Sequence, residues 1–306
     1  MKRLTIKTDR GDFSVCFWKG PADAPILHWA HANGFNGQTY NRLLSKLTRD
    51  FNVYAWDAPG YGMTEKGVFY DKVNPVLGNS YDLEALIIEL NKKHKRKILL
   101  GGHSIGGSLS LMVSKYIEEK ISGLILADPV VINYHHQYLT KYLGPFGYDS
   151  STLKLTKQAL KKRDRWDSFE TVLNSYTGRG IFSTWEEGFL EDYLLGGTRS
   201  DKEGVYLTCH PAIEAASFKN TEIVATPKII KETSVPIVLL VSEIGSTTAS
   251  LSLFKRLYNL KKLEIIEGGT HFFQWSNLIN LFPTLKTLNL MLKDYTYIRM
   301  ERWDIK

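Results

Sequence analysis

The chain has 306 residues, of which 43% are hydrophobic and 23% charged, and its 39 lysines and arginines outnumber its 32 aspartates and glutamates to give a net charge of +7. This composition supplies enough apolar material for a core and excludes a disordered chain. Two cysteines, Cys16 and Cys209, are too few for a disulfide framework or a four-cysteine zinc site. The N-terminus lacks the apolar region of a signal peptide, so we expect a soluble, cytoplasmic protein without stable membrane insertion.

Short apolar runs, many rich in β-branched residues, predict strands along the chain. They lie at 13–18, 26–30, 53–56, 98–100, 124–127, 237–241 and 263–266. Helical patterns lie at about 79–94, 104–118, 248–259 and 275–292. Several strand runs are continuously apolar, as in strands that are covered on both faces. The alternation therefore predicts an α/β core with a mostly parallel sheet flanked by helices.

The alternation stops between about 130 and 230, where aromatic residues are mixed with charges and glycines. A stretch this long without strand signals predicts an inserted helical cap or lid. We therefore expect residues 1–129 and 231–306 to form one core and residues 130–230 to form the cap.

The densest basic run, Lys92 to Lys97, follows the helical pattern at 79–94, which we expect to begin at a cap on Asn79 or Ser80. Cations are favourable at the C-terminus of a helix, so the run is explained as a solvated helix end. No aromatic and basic recognition motif accompanies it, and we predict no nucleic-acid partner.

Gly102-His103-Ser104-Ile105-Gly106 follows a predicted strand and opens a predicted helix. A strand that turns sharply into a helix projects its central side chain and needs small neighbours. The pattern therefore predicts Ser104 as a nucleophile. The N–H of Ile105, at the start of the helix, is placed where an oxyanion would form.

Together with His31-Ala32-Asn33 and the segment Asp57 to Gly62, this motif resembles the α/β-hydrolase superfamily, and the resemblance spans nearly the whole chain. It implies an esterase-like or lipase-like serine hydrolase with a helical cap, in which the N–H of Asn33 is the second oxyanion donor. We assign substrate binding to five residues near the nucleophile and in the cap: His103, Phe35, Trp166, Phe182 and Trp185. Asp57 is expected to pin its own turn.

A serine hydroxyl needs a general base, and His271 follows the last predicted strand, where this superfamily carries its catalytic histidine. The acidic partner of His271 is harder to assign, because Gly245 stands where many relatives have aspartate. Asp128, at the end of the strand after the nucleophile helix, is our first choice, as in haloalkane dehalogenase-like branches. Glu243 is the alternative acid.

The pairs His28 with His31 and His135 with His136 lack a carboxylate at ligand spacing, so we predict no metal and no cofactor, and a loop-stabilising role for His31. The expected reaction is hydrolysis of a carboxylic ester with an apolar acyl or alkyl group, a small-molecule substrate. The same triad also serves C–C and amide hydrolysis, acyl transfer and cofactor-free peroxidation. A small-molecule receptor on the hydrolase fold is the non-catalytic alternative, and the oligomeric state is not predicted.

Overall fold

An eight-stranded sheet forms the centre of the protein in the computed structural model, which describes residues 1–65, 74–132, 142, 151–221, 227–249 and 251–276. The strands of the described chain are β1 (Lys2–Thr8), β2 (Gly11–Trp18), β3 (Ile26–Ala30), β4 (Asn52–Trp56), β5 (Ile98–His103), β6 (Ile121–Ala127), β7 (Arg165–Trp166), β8 (Thr198–Asp201), β9 (Gly204–Leu207), β10 (Ile237–Ile244) and β11 (Leu260–Thr270). The order in the large sheet is β1-β2-β4-β3-β5-β6-β10-β11.

The large sheet is parallel from β4 to β11, and only β2 pairs antiparallel with its neighbours β1 and β4. Every residue of β3, β4 and β5 is buried, as their continuously apolar sequences predict. The predicted α/β fold with a mostly parallel sheet is confirmed. Because β5, β6, β10 and β11 are parallel neighbours, the residues after their carboxyl ends meet at one edge of the sheet.

The described helices are α1 (Asn41–Leu44), α2 (Pro75–His94), α3 (Ile105–Tyr116), α4 (Ser151–Leu160), α5 (Phe169–Tyr176), α6 (Phe189–Gly197), α7 (Pro211–Lys219), α8 (Pro227–Glu232), α9 (Leu251–Phe254) and α10 (Phe273–Ser276). Short 3₁₀ turns lie at Gly37–Tyr40, Ser45–Arg49, Glu118–Lys120 and Gly180–Thr184. None of the helices within the described residues combines the length and apolar content needed to cross a membrane.

The helix predicted from residue 79 begins earlier than expected, so the predicted cap at Asn79 or Ser80 is wrong. Asn74 is the N-cap, and its side chain accepts a hydrogen bond from the Leu77 N–H at 3.1 Å. Pro75 occupies the first turn, where its missing N–H costs nothing. The basic run does fall at the C-terminus of this helix. Of the helix predicted at 248–259, the described part contains only α9, and most of the helix predicted at 275–292 lies outside the described residues.

The chain between β6 and β10, which we call the insertion, is not purely helical. Its strands β7, β9 and β8 form a separate antiparallel sheet, in that order. The expectation of no strands in this region is therefore wrong. The strands have two to four residues, too few for a periodic pattern to be recognised, and β7 and β8 carry charged side chains such as Arg165 and Asp201.

His28, in the middle of β3, is a buried histidine without a polar partner. Its side chain has no exposed surface, and neither ring nitrogen has a hydrogen-bond partner in the described part of the chain. Burial, reinforced by the nearby His31, lowers the pKa of His28 to about 3. The ring is therefore neutral in the folded protein at neutral pH, whereas an unfolded chain binds a proton near pH 6.5.

We expect His28→Leu to raise the free energy of unfolding at pH 7, because leucine fills a similar volume and leaves no polar atom unpaired. Between pH 6.5 and about 3 the unfolded wild type binds a proton that the folded form does not, so wild-type stability falls as the pH falls. The advantage of the variant should be about 3 kcal/mol larger at pH 4 than at pH 7. Urea unfolding of both proteins measures this, and a pH-independent difference would contradict it.

Candidate active site

Ser104 lies at the turn between β5 and α3, with backbone angles of φ 55° and ψ −124°. This is a strained conformation for a residue with a side chain, and it raises the hydroxyl above the end of the sheet. The turn is held because the Ser104 N–H donates to the Ala127 carbonyl at 3.0 Å, at the end of the neighbouring strand β6. The side chain is 8% exposed, so a small part of it remains open to solvent.

The glycines around Ser104 are required by close backbone contacts. A Cβ atom at Gly102 would overlap the backbone of Gly106, and one at Gly106 would overlap the carbonyl of Ala30 on β3. The start of α3 is thus packed directly on the sheet. This packing explains why the motif needs glycine two residues before and two residues after the serine.

Ser104, His271 and Asp128 form a continuous hydrogen-bonded chain. His271 Nε2 lies 3.0 Å from Ser104 Oγ, and His271 Nδ1 lies 2.6 Å from Asp128 Oδ2. A carboxylate can only accept, so Nδ1 carries the proton and Nε2 is left to accept the serine hydroxyl proton. Three residues that are far apart in sequence are brought together because each follows the carboxyl end of a strand: β5, β6 and β11.

Asp128 is fully buried, and the loop after β10 surrounds its carboxylate with donors. The Ser242 hydroxyl donates to Oδ2 at 3.1 Å and the Thr247 N–H donates to the same oxygen at 3.2 Å. The hydroxyl of Ser246 donates to Oδ1. Burial alone would raise the pKa of Asp128, but the hydrogen bond and attraction of His271, with the donors from Ser246 and Thr247, lower it below its ordinary value. The carboxylate is therefore ionised at neutral pH.

Glu243, the alternative acid, points away from this centre. It is exposed, and its carboxylate accepts the Gly268 N–H at 2.8 Å. Ser242 and Glu243 are consecutive on β10, so their side chains leave opposite faces of the sheet. Ser242 faces Asp128 and Glu243 faces solvent, and Gly245 contributes no side chain. The structure thus pairs His271 with Asp128 and not with Glu243.

The loop after β3 places Asn33 beside the start of α3. The Asn33 side chain is fixed at both ends: Nδ2 donates to the Glu214 carbonyl at 2.9 Å, and Oδ1 accepts the Tyr61 hydroxyl at 2.8 Å. Within the described residues, the N–H groups of Asn33 and Ile105 donate to no protein acceptor. His31 supports this loop, since its Nε2 accepts the Ala58 N–H at 3.0 Å.

Asp57 and His103 hold the backbone around the candidate site. Asp57 accepts the N–H groups of Gly37 at 2.8 Å and Met63 at 2.9 Å, and pairs with Arg3, so it pins its turn. His103 is fully buried: its Nδ1 lies 3.0 Å from the Tyr40 hydroxyl and its Nε2 lies 2.9 Å from the His271 carbonyl. Since a carbonyl only accepts, His103 donates from Nε2 and holds the backbone of His271.

His103 was predicted to bind substrate, but the structure leaves it no exposed surface on which a substrate could lie. Burial, together with the nearby His271, holds the pKa of His103 well below its ordinary value, so the ring is neutral. The sequence could not separate the two roles, because the residue before the nucleophile is next to the site whichever way it faces.

An aromatic cluster extends from His271 into the insertion. The Phe272 ring lies 5.1 Å from His271, and Trp275 lies 5.8 Å from Phe272. Trp275 in turn stacks on Trp185 at 4.5 Å. We use this name for six of its residues, Phe35, Phe182, Trp185, Tyr193, Phe272 and Trp275. Tyr176 adjoins Phe182 at 5.0 Å and Tyr40 adjoins Trp275 at 5.3 Å.

The predicted residues Phe35, Phe182 and Trp185 belong to this aromatic cluster, whereas Trp166 is joined to it through Tyr176. Trp166 is buried against Tyr176 at 5.8 Å inside the insertion. The cluster members Tyr193, Phe272 and Trp275 were not predicted as site residues. The position of Phe272 directly after His271 is the sequence signal that could have indicated it.

Within the described residues, no group of three or more histidine, cysteine, aspartate or glutamate side chains is arranged to hold a metal ion. His28 and His31 do not form a shared metal site: His28 is buried in β3, and His31 accepts a hydrogen bond that holds the loop after β3. His135 and His136 lie outside the described residues.

The sequence and the fold were compared with those of known proteins. A family model described as the alpha/beta hydrolase family matches residues 27–277. One curated relative, the pimeloyl-[acyl-carrier protein] methyl ester esterase of Wigglesworthia glossinidia brevipalpis, is 26% identical over 113 residues. That match covers 37% of this chain and only 39% of the length of the relative.

Two solved structures share the fold over nearly their whole length. E-2-(acetamidomethylene)succinate hydrolase superposes with a TM-score of 0.73 at 16% identity, covering 95% of this chain and 100% of that one. A thioesterase domain from the curacin biosynthetic pathway superposes with a TM-score of 0.73 at 17% identity, covering 94% and 99%. At these identities the likeness shows the fold alone, and the predicted α/β-hydrolase fold is confirmed.

The donors around Asp128 lead to a stability prediction. We expect Ser242→Ala to lower the free energy of unfolding by roughly 1.5–3 kcal/mol at pH 7, because it removes a buried hydrogen bond to a charged group. The matched control is its neighbour Glu243→Gln, which alters an exposed side chain and should change stability by less than about 0.5 kcal/mol.

Because the pKa of Asp128 is lowered from 3.8, its stabilisation is present above that pH and is lost as the pH falls through the lowered value. The effect of Ser242→Ala should therefore shrink in strong acid. Urea unfolding at several pH values measures it, and equal losses for the two variants would show that Ser242 does not stabilise the carboxylate.

Proposed function

The chain belongs to the alpha/beta hydrolase family, and we propose that it is a serine hydrolase that cleaves carboxylic esters with an apolar acyl or alkyl group. The observation that carries this proposal is the hydrogen-bonded chain from Asp128 through His271 to Ser104. A serine hydroxyl is a weak nucleophile at neutral pH, and this arrangement supplies the base that activates it.

In the proposed mechanism, Ser104 Oγ attacks the ester carbonyl while His271 Nε2 takes its proton. Asp128 stays ionised and stabilises the imidazolium through Nδ1. The tetrahedral intermediate then collapses, His271 returns the proton to the leaving alcohol, and the acyl group remains on Ser104. Water, deprotonated by His271, attacks this acyl-enzyme and releases the carboxylic acid, which restores the serine.

The developing oxyanion requires donors that are in place before the reaction. We assign this role to the N–H groups of Asn33 and Ile105, which flank the start of α3 and donate to no other described group. Ile105 is the first residue of α3, so the positive end of the helix dipole adds to the stabilisation. Removing one such donor typically costs 10²–10³-fold in rate in other hydrolases.

The aromatic cluster supports an apolar acyl or alkyl group. It begins at Phe272 beside His271 and continues through Trp185 and Phe182 into the insertion. An apolar chain attached to the reacting carbonyl would lie along these rings and be shielded from water. We propose that the insertion is the cap expected for residues 130–230, and that residues 1–129 and 231–306 form the core beneath it.

The non-catalytic alternative loses its main support. A receptor on this fold was considered because Gly245 replaces the usual acid, yet Asp128 contacts His271 at 2.6 Å. Esters are the proposed substrates because an ester carbonyl is more electrophilic, and its alcohol a better leaving group, than the carbonyl and amine of an amide. Of the proteins compared above, one is by name a methyl ester esterase and another a thioesterase domain.

We expect Ser104→Ala to abolish hydrolysis of p-nitrophenyl esters and to prevent labelling by a fluorophosphonate probe, because both require the hydroxyl. Asp128→Asn should lower kcat by about 10⁴-fold while the fold is kept, as judged by circular dichroism. Glu243→Gln is the control for loss of a carboxylate near the site. Loss of activity in Glu243→Gln, with Asp128→Asn still active, would show that the acid is Glu243.

We also expect kcat/KM to rise with acyl length across a series of p-nitrophenyl esters, because longer chains bury more area on the aromatic cluster. Trp185→Ala should flatten this dependence, since it removes a ring at the centre of the cluster. The readout is the slope of log kcat/KM against chain length. The same slope in wild type and variant would show that the acyl chain binds elsewhere.

A further inference from the structure

A lysine of the insertion, Lys162, lies next to the loop that bears Asn33. Its Nζ donates to Glu214 Oε2 at 3.1 Å, and the Glu214 carboxylate packs on the backbone of Gly34, where a Cβ atom would lie 3.0 Å from Oε1. The Glu214 carbonyl also accepts Asn33 Nδ2 at 2.9 Å. The ion pair is therefore adjacent to the proposed oxyanion donor and not on the outer surface of the insertion.

Lys162 remains charged in this position. Burial alone would lower the pKa of Lys162, but the Glu214 carboxylate at 3.1 Å holds it well above its ordinary value. Burial raises the pKa of Tyr176 and Tyr193, so each keeps its hydroxyl proton at neutral pH. Glu214 thus pairs with one ammonium, and the neutral phenols of Tyr176 and Tyr193, whose rings lie 6.2 Å apart, are within electrostatic range of this pair.

These groups offer more hydrogen-bond donors than the protein accepts. An ammonium has three N–H donors and each phenol has one O–H donor. Within the described part of the chain, Glu214 is the side chain that accepts from Lys162, and the Tyr176 and Tyr193 hydroxyls have no protein acceptor. A donor-rich cluster is complemented by a group that only accepts, and a carboxylate is such a group.

Tyr193 connects this cluster to the aromatic cluster. Its ring lies 5.4 Å from Phe35 and stacks on Phe182 at 5.5 Å. Phe35 directly follows Gly34, the residue on which the Glu214 carboxylate packs. An apolar chain that lies along the rings of Phe35 and Tyr193 would therefore come close to the ion pair of Lys162 and Glu214.

We infer that the substrate is an ester whose apolar chain carries a carboxylate, and that Lys162 binds this carboxylate. The inference rests on the proposed function, because it names the substrate class of the same site. In it, Glu214 holds Lys162 in place and weakens the field that the ammonium presents to an anion. A purely structural ion pair would leave the charge of the substrate without effect.

The test compares two esters of equal chain length, mono-p-nitrophenyl adipate, which is anionic, and p-nitrophenyl hexanoate, which is neutral. The quantity measured is the ratio of their kcat/KM values in wild type and variants. We expect a ratio above one in wild type, and a fall of about 10-fold in Lys162→Met, because a partly buried ammonium that faces the substrate carboxylate is removed. Lys161→Met, an exposed neighbour, controls for net charge and should keep the wild-type ratio.

If Lys162→Met does not fold, Glu214→Gln provides a second test, because it is expected to change the ratio of kcat/KM values in the opposite direction. Loss of Glu214 should raise the ratio several-fold, because the ammonium is no longer neutralised. The inference is overturned if the wild-type ratio is near or below one, or if neither Lys162→Met nor Glu214→Gln changes it. In that case, hydrolysis of both esters that depends on Ser104 still upholds the proposed function. Equal hydrolysis by Ser104→Ala would instead overturn the proposed function itself.

Discussion

A carboxylate without solvent contact stays ionised only if the protein supplies hydrogen bonds to replace water, and Asp128 meets this condition through the loop that follows β10. The same loop also holds the backbone there: the Thr247 hydroxyl donates to the Asp128 carbonyl at 2.8 Å, and the Val131 N–H donates to the Thr247 carbonyl at 3.1 Å. The ends of β6 and β10 are thereby joined. Because an ionised Asp128 fixes the proton on His271 Nδ1, the nitrogen that faces Ser104 is free to act as a base.

This dependence explains which parts of the site could be predicted from the sequence. Ser104 was identifiable because its strained turn needs glycines at fixed offsets, which is a local pattern. His271 followed from chain order after the last strand. Asp128 was harder, because its assignment depends on contact between β6 and β10, which are far apart in sequence. The donors Ser242 and Thr247 are visible in the sequence only as members of a segment rich in hydroxyl residues. The local sequence does not show which carboxylate these hydroxyl groups face.

The parts that were predicted wrongly have different causes. The strands β7 to β9 are too short to show a periodic pattern, and the start of α2 was set by Pro75 and not by the polar residues that follow it. An aromatic residue such as Trp166 gives no indication of whether it packs inside the insertion or faces the core. Side-chain direction is decided by tertiary contacts, whereas the order of strands and helices is visible in the apolar pattern.

The insertion and the proposed catalytic residues share hydrogen bonds, so under the proposed function substrate selection and catalysis are coupled. Asn33, proposed to stabilise the oxyanion through its backbone, is held by the Glu214 carbonyl, and the Tyr61 hydroxyl that donates to Asn33 lies 2.8 Å from Ser217 Oγ. Both Glu214 and Ser217 lie on α7. A shift of this helix therefore moves the oxyanion loop together with the Glu214 carboxylate that pairs with Lys162. A substrate group bound at Lys162 would then change the position of the oxyanion donor at the reacting carbonyl, because α7 contacts both Lys162 and the Asn33 loop.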